Sequence, residues 1–305
     1  MTAKLRIIYM GTPEFAVGGL KALVDNGFNV VAVVTAPDKP SGRGLHVQQS
    51  PIKQFAVEHA IPVLQPVKLK DPGFVASLQL FKADLQVVVA FRMLPEIVWT
   101  MPRLGTLNLH ASLLPDYRGA APINHAIING ETVTGVTTFF LQHAIDTGDI
   151  IFKEQVNIAP DDNAGTLHDK LMSVGAQLIV KTVQSIADNN YKTTPQSGIS
   201  NKIAPKIFKE TCMINWHQHA DTINNFIRGL SPYPGAYTIL HNKILKIYAA
   251  FPEIVTHQIP AGTFESDNAK YLKFATADGF INITALQAEG KKRMLIADFL
   301  RGNKL

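Results

Sequence analysis

The segment Gly105-Thr-Leu-Asn-Leu-His-Ala-Ser-Leu-Leu-Pro-Asp-Tyr-Arg-Gly119 holds the residue types best suited to chemistry. In a strand over Thr106–Ala111 side chains alternate, so Leu107 and Leu109 take one face while Asn108 and His110 project together from the other. That pairs an uncharged hydrogen-bond donor with a side chain able to carry a proton near neutral pH. Ser112-Leu-Leu-Pro115 would leave the strand in a turn, which puts the pair at a strand's carboxyl end. The bland alternative is that both side chains simply bond a neighbouring loop. Ala144-Ile-Asp-Thr-Gly-Asp149 lies between two β-like runs and offers Asp146, either as a carboxylate capping its own turn or as a third group delivered beside Asn108 and His110. An aspartic protease is excluded, because two carboxylates must share a proton and the chain has one Asp-Thr-Gly, in surroundings that alternate strand and helix.

Other motifs narrow the chemistry further. Gly11-Thr12-Pro13 lacks the glycine spacing of a dinucleotide fingerprint, and there is no P-loop, no His-Glu-x-x-His and no cysteine cluster. His217-x-His219 alone reads as surface, so no metal is expected. Lys39 and Arg43 sit among the glycines and prolines of the loop over residues 36–46, which reads either as a mobile surface loop or as a basic flap over an anionic substrate.

The elements that must position these groups alternate in the first part of the chain. Leu5–Met10 and Asn29–Thr35 are strand-like, and Thr12-Pro13-Glu14 between them opens a helix with a hydroxyl cap, a proline at the first helical position and an acid at the positive end of the dipole. Ser50-Pro51 and Asp71-Pro72 repeat the helix-start pattern. Leu85–Ala90 is nearly continuous apolar sequence, as strands buried on both faces are. The architecture expected is α/β: a doubly wound, mostly parallel, Rossmann-like sheet with ligands outside the strands' carboxyl ends. From Thr134 the pattern becomes β runs, Thr134–Leu141 and Ile150–Asn157, then a long helix from about Gly165 to Asp188. Residues 190–212 have a linker composition with a positive bias. After a helix near Ala220–Leu230, β runs at Ala236–Leu240, Ile244–Ala250, Tyr271–Ala275 and Phe280–Leu286 predict a small, OB-like β-barrel. The expected division is residues 1–189, a linker over 190–212, and a barrel over 213–305.

Composition agrees with two globular parts. The 305 residues are 46% hydrophobic and 17% charged, too apolar for a disordered chain and too poor in charge for a coiled-coil rod. No apolar run is long enough to span a bilayer. One cysteine, Cys212, and a start without a secretory pattern lead to a cytoplasmic expectation. Of the net charge of +5, residues 1–200 contribute nothing, with 16 basic and 16 acidic side chains, while residues 201–305 hold 13 against 8. A neutral body with a basic appendage suits a polyanionic partner, although ordinary surfaces also carry such a balance.

Asn108-x-His110-x-Ser112-Leu-Leu-Pro115-x-Tyr-Arg118-Gly119, followed by Gly135-Val-Thr-Thr and by Ile145-Asp146-Thr-Gly148, resembles the signature of the formyltransferase superfamily. Gly11–Phe15, Pro37–Gly44, Met101–Gly105, Gly165–Leu167, Lys202-Ile-x-x-Lys206, Ile227-Arg228, Pro232-x-Pro234 and Gly290-Lys-Lys-x-Met294 extend the likeness over essentially the whole chain, and are similar to the branch that acts on methionyl-tRNA. The resemblance implies transfer of a formyl group from 10-formyltetrahydrofolate, as cosubstrate, to the α-amino group of methionine on initiator tRNA, by a monomer that needs neither metal nor membrane. It implies that Asn108 donates to the oxyanion and that His110 donates there or shuttles a proton. Asp146 would hold the imidazole's tautomer or relay the proton through water, and the two readings stay open. It further implies folate contacts at Ser112, Leu113, Leu114, Pro115, Phe91, Met93 and Leu94, although Ala90–Pro95 is one residue shorter than the family pattern. Lys39 and Arg43 would meet the acceptor end of the tRNA. Lys202, Lys206 and Lys209 would line its path, and the barrel would bind the inside of the L by phosphates and shape.

Three other functions compete. A sugar-nucleotide N-formyltransferase would use the same trio, but the basic loop and the linker lysines argue against it. A nonenzymatic tRNA-binding module would leave the sheet inert. A nicotinamide-dependent oxidoreductase is weakened by the missing glycine fingerprint. Covalent catalysis is disfavoured, since Ser112 lacks a triad pattern and Cys212 falls in the linker.

Overall fold

A computed structural model describes residues 5–41, 46–196 and 200–305, so Arg43 lies outside the described residues. In chain order its elements begin β1 (Arg6–Gly11), α1 (Glu14–Asp25), β2 (Asn29–Val34), β3 (Lys39–Ser41), β4 (His46–Gln48), α2 (Pro51–Glu58), β5 (Val63–Leu64), α3 (Pro72–Leu80), β6 (Leu85–Val89), α4 (Glu96–Trp99) and β7 (Thr106–His110). They continue with β8 (Arg118–Gly119), α5 (Pro122–Ile128), β9 (Val133–Phe140), β10 (Ile150–Asn157), α6 (Ala164–Ala187) and β11 (Ile203–Ala204). The last are α7 (Ala220–Gly229), β12 (Ala236–Leu240), β13 (Lys243–Ile254), β14 (Phe264–Ser266), β15 (Leu272–Ala275), β16 (Gly279–Ala288), β17 (Met294–Leu295) and α8 (Ile296–Gly302).

Two helix starts follow their capping chemistry. Ser50 Oγ accepts from the Lys53 N–H ahead of Pro51, and Asp71 Oδ1 accepts from the Phe74 N–H, 3.0 Å away, ahead of Pro72. α1 departs from expectation. It begins at Glu14 with Pro13 in the cap position, so no side chain caps it and the Thr12 hydroxyl has no such role.

The seven-stranded sheet runs β10-β9-β7-β6-β1-β2-β5. The chain starts at the sheet's centre, builds outward through β2 to β5, then returns to β6 on the other side of β1, which is the doubly wound order. Pairs β1–β2, β1–β6, β2–β5 and β6–β7 are parallel, whereas β7–β9 is antiparallel. All five residues of β6 are buried, as its unbroken Leu-Gln-Val-Val-Val implies. One sheet face gathers Ile8, Met10, Val34 and Val88 against Phe74, Leu78 and Val98. On the opposite face α6 comes so close that a Cβ at Gly175 would lie 2.7 Å from Leu109 Cδ2.

The chain divides into two compact units, one of residues 1–118, 135–156 and 168–202, the other of 119–134, 157–167 and 203–305. The second unit's sheet runs β12-β13-β16-β15-β14, with β17 paired to β16. Its antiparallel strands curl into a half-barrel with β12 and β14 at the edges. The twelve-residue β13 shifts register on either side of Ala249, which lets one strand turn the corner of the curl. Trp216, Ile223, Ile227, Ile247, Phe274 and Leu286 are among its core. Cys212 is in that core as well, its Sγ 3.2 Å from the Phe208 carbonyl, and burial pushes the thiol's pKa up. Among the described residues no helix is long and apolar enough to cross a membrane.

Candidate active site

β7 supplies the first two groups. Leu107 and Leu109 are buried on one face, and the alternation sends Asn108 and His110 to the other. In the antiparallel register Asn108 lies opposite Phe139 and His110 opposite Thr137, and directly paired residues share a face. Asn108 is half-buried, and among the described residues its carboxamide has no hydrogen-bonding partner. His110 is buried, with Nε2 2.9 Å from the Tyr117 carbonyl oxygen. A carbonyl only accepts, so Nε2 carries the hydrogen and Nδ1 is the nitrogen left for exchange. Asp146 Oδ2 lies 3.8 Å from Nδ1, with the two side chains 13% and 8% exposed. That gap is beyond a direct hydrogen bond but within reach of a charge on the ring.

The turn after β7 is tied back to the same face. Thr137 Oγ1 donates to the Ser112 carbonyl at 2.7 Å and accepts from the Leu114 N–H at 3.1 Å. Ser112 Oγ donates to the Asp116 carbonyl at 2.6 Å, and Lys153 Nζ donates to the Leu114 carbonyl. Leu114 packs with Phe139 and Ile150, while Leu113 and Pro115 stay half-buried. At the end of β6, Arg92 donates to the carbonyls of Pro66 and Val67 at 2.8 and 3.0 Å, which anchors the 91–94 segment. Leu94 is core, Phe91 is half-buried against it, and Met93 is 74% exposed.

Lys39, Lys202, Lys206 and Lys209 are exposed. Lys39 opens the β3–β4 ladder, in which it pairs with Gln48. Lys202 Nζ is 3.8 Å from Asp116 Oδ2 and 5.9 Å from the centre of the Tyr117 ring, Lys206 Nζ is 5.3 Å from that of Phe208, and Lys209 sits in a short 3-10 turn. Tyr117 and Thr137 fall within the sequence motifs but are assigned no role there, and Gln196 is not singled out. The contribution of Tyr117 is a backbone carbonyl, which every residue type possesses. That of Gln196 is a contact across 50 residues of chain, to the Asp146 carbonyl.

A doubly wound sheet with an amide and an imidazole on one face of β7, a carboxylate 3.8 Å from the imidazole, and an antiparallel half-barrel following in the chain is an arrangement suited to a group-transfer enzyme. The chain belongs to the formyl transferase family, whose model matches residues 3–183, with the formyl transferase C-terminal domain matching 206–304. It is 54% identical to a methionyl-tRNA formyltransferase of Bacteroides thetaiotaomicron over 99% of this chain and 96% of that one. A methionyl-tRNA formyltransferase of Phocaeicola vulgatus is 55% identical over 98% and 95%. Among solved structures, an N-formyltransferase from Helicobacter canadensis, crystallised with folinic acid and dTDP-3-aminofucose, superposes with a TM-score of 0.69 at 23% identity, covering 93% of this chain and 99% of that one. At that identity the likeness speaks for the fold alone.

Proposed function

We propose that this protein transfers the formyl group of 10-formyltetrahydrofolate to the α-amino group of methionyl initiator tRNA. The observation that carries this reading is the 52–55% identity to methionyl-tRNA formyltransferases through both parts of the chain. The reaction asks for three things: an unprotonated amine to attack the formyl carbon, a donor for the charge that grows on the formyl oxygen, and a proton for the departing folate nitrogen. Asn108, its carboxamide uncommitted, is the oxyanion donor. His110, its Nε2–H held by the Tyr117 carbonyl, moves the proton through Nδ1. Asp146 faces that atom from 3.8 Å, where it can orient the ring or relay the proton through water.

The residues fit a folate: a half-buried amide at the end of an apolar face, a turn over Ser112, Leu113, Leu114 and Pro115, and the segment carrying Phe91, Met93 and Leu94. In this reading residues 1–189 carry catalysis, 190–212 form a basic connection and 213–305 bind tRNA. Lys39 and Arg43 meet the acceptor end, and the enzyme works as a cytoplasmic monomer. The test offers 10-formyltetrahydrofolate with methionyl initiator tRNA, methionyl elongator tRNA or an amino-sugar nucleotide. Formylation of the initiator alone, with matching release of tetrahydrofolate, is expected. Formylation of only the sugar, or tRNA binding without release of tetrahydrofolate, overturns the reading.

A further inference from the structure

We propose that Gln196, acting with Arg118, is a positioning residue for this transfer, holding the Asp146 carboxylate opposite His110. The inference rests on the reading of Asn108, His110 and Asp146 as the reacting trio, and begins from backbone strain. Asp146 has φ +54°, in the left-handed region that disfavours residues other than glycine. Such a conformation persists only when its surroundings impose it.

Gln196 supplies that imposition. Its Nε2 donates to two carbonyls of the turn, Asp146 O at 2.9 Å and Gly148 O at 2.8 Å. Its Oε1 accepts from Arg118 Nε and Nη2 at 3.1 and 2.5 Å, and Arg118 Nε donates also to the Asp146 carbonyl at 3.0 Å. Two carbonyls on one side and a guanidinium on the other fix which end of the amide is nitrogen. A glutamate could keep the arginine but not donate to the carbonyls; an alanine could do neither. Gly148 closes the opposite side, since a Cβ there would sit 1.6 Å from the Phe140 carbonyl oxygen. Gln196 is itself registered by the neighbouring bridge, in which Thr194 and Ile150 exchange N–H···O bonds of 2.8 and 2.9 Å. The amide thus holds two carbonyls of the turn that carries Asp146.

The test measures formylation kinetics for Gln196→Ala and Gln196→Glu, each also in an Asp146→Ala background. Misplacement of a reacting group by about 1 Å costs up to ~100-fold, so each single variant should lose at least ~10-fold in kcat with KM for both substrates within ~2-fold. In the Asp146→Ala background Gln196→Ala should cost no more than ~2-fold further, because residues acting through one another are not additive. A kcat near wild type, a loss confined to KM, or an undiminished loss in the Asp146→Ala background overturns the proposal. Crystal structures of Gln196→Ala and Gln196→Glu give a readout free of any substrate: an Asp146 carboxylate still 3.8 Å from His110 Nδ1 in either also overturns it. Failure of the wild-type enzyme to formylate methionyl-tRNA would instead count against the function proposed above and leave this structural arm decisive.

Discussion

At the scale of single residues, the division of labour proposed for Asn108 and His110 rests on what each is already bonded to. The Asn108 amide has its donors uncommitted, whereas the His110 ring has spent one nitrogen on the Tyr117 carbonyl and turned the other toward a carboxylate. In the proposed mechanism, removing either side chain removes one contribution, an oxyanion donor or a proton carrier. Asn108→Ala and His110→Ala should each lower kcat by at least ~100-fold, measured by single-turnover formylation, while filter-binding affinity for methionyl-tRNA changes little. Near-wild-type turnover in either variant would remove that side chain from the mechanism. The pairing of these residues on one face was legible in the sequence because strand alternation is strict. The carbonyl of Tyr117 was not, since its role depends on where the chain passes rather than on residue type.

At the scale of elements, the second unit shows a helix capped by a residue far away in sequence. α7 begins at Ala220 with His219 in the cap position, and no side chain of that turn bonds back to it. Asp278, in the connection between β15 and β16, does so instead: Oδ1 accepts from the Ala220 N–H at 2.8 Å, and Oδ2 lies 3.0 Å from His219 Nδ1. The Ala220 N–H holds the carboxyl below its ordinary pKa, burial opposes this, and the His219 bond adds to the lowering. A carboxyl depressed in the folded state stabilises above its unfolded pKa of about 3.9 and loses that contribution as pH falls through the folded value. Asp278→Ala should therefore cost about 1 kcal/mol at pH 7, as a lost cap does. The deficit should shrink in calorimetric scans carried below ~pH 4, and a pH-independent deficit would assign it to packing. The helix itself was expected near Ala220–Leu230 and runs over Ala220–Gly229, as β6 was legible from its unbroken apolar run. Its cap was not, because 58 residues separate the partners. Thr12 shows the reverse error, a local signal that the chain does not use once Pro13 takes the cap position.

At the scale of the whole molecule, the excess of positive charge beyond residue 200 acquires a physical reading from how its lysines are held. Lys202 and Asp116 are 3.8 Å apart with side chains 47% and 42% exposed, and a pair so open to solvent contributes little. Lys206 lies over the Phe208 ring, which restrains its stem while leaving an ammonium exposed to solvent. Lys206 thus keeps its charge at the surface, where a phosphate chain could reach it. Each lysine that meets a phosphate releases about 0.7–0.9 counterions, so replacing Lys202, Lys206 and Lys209 together with glutamine should reduce the slope of log K against log salt by about 2–3. The measurement is tRNA affinity at several salt concentrations, with the wild type alongside. Because the three residues lie outside the trio proposed to perform the transfer, the variant should retain wild-type kcat at saturating tRNA. A slope unchanged by the triple replacement would place the phosphate contacts elsewhere on the basic part of the chain. A slope that falls together with kcat would show that the same lysines also align the acceptor end for reaction.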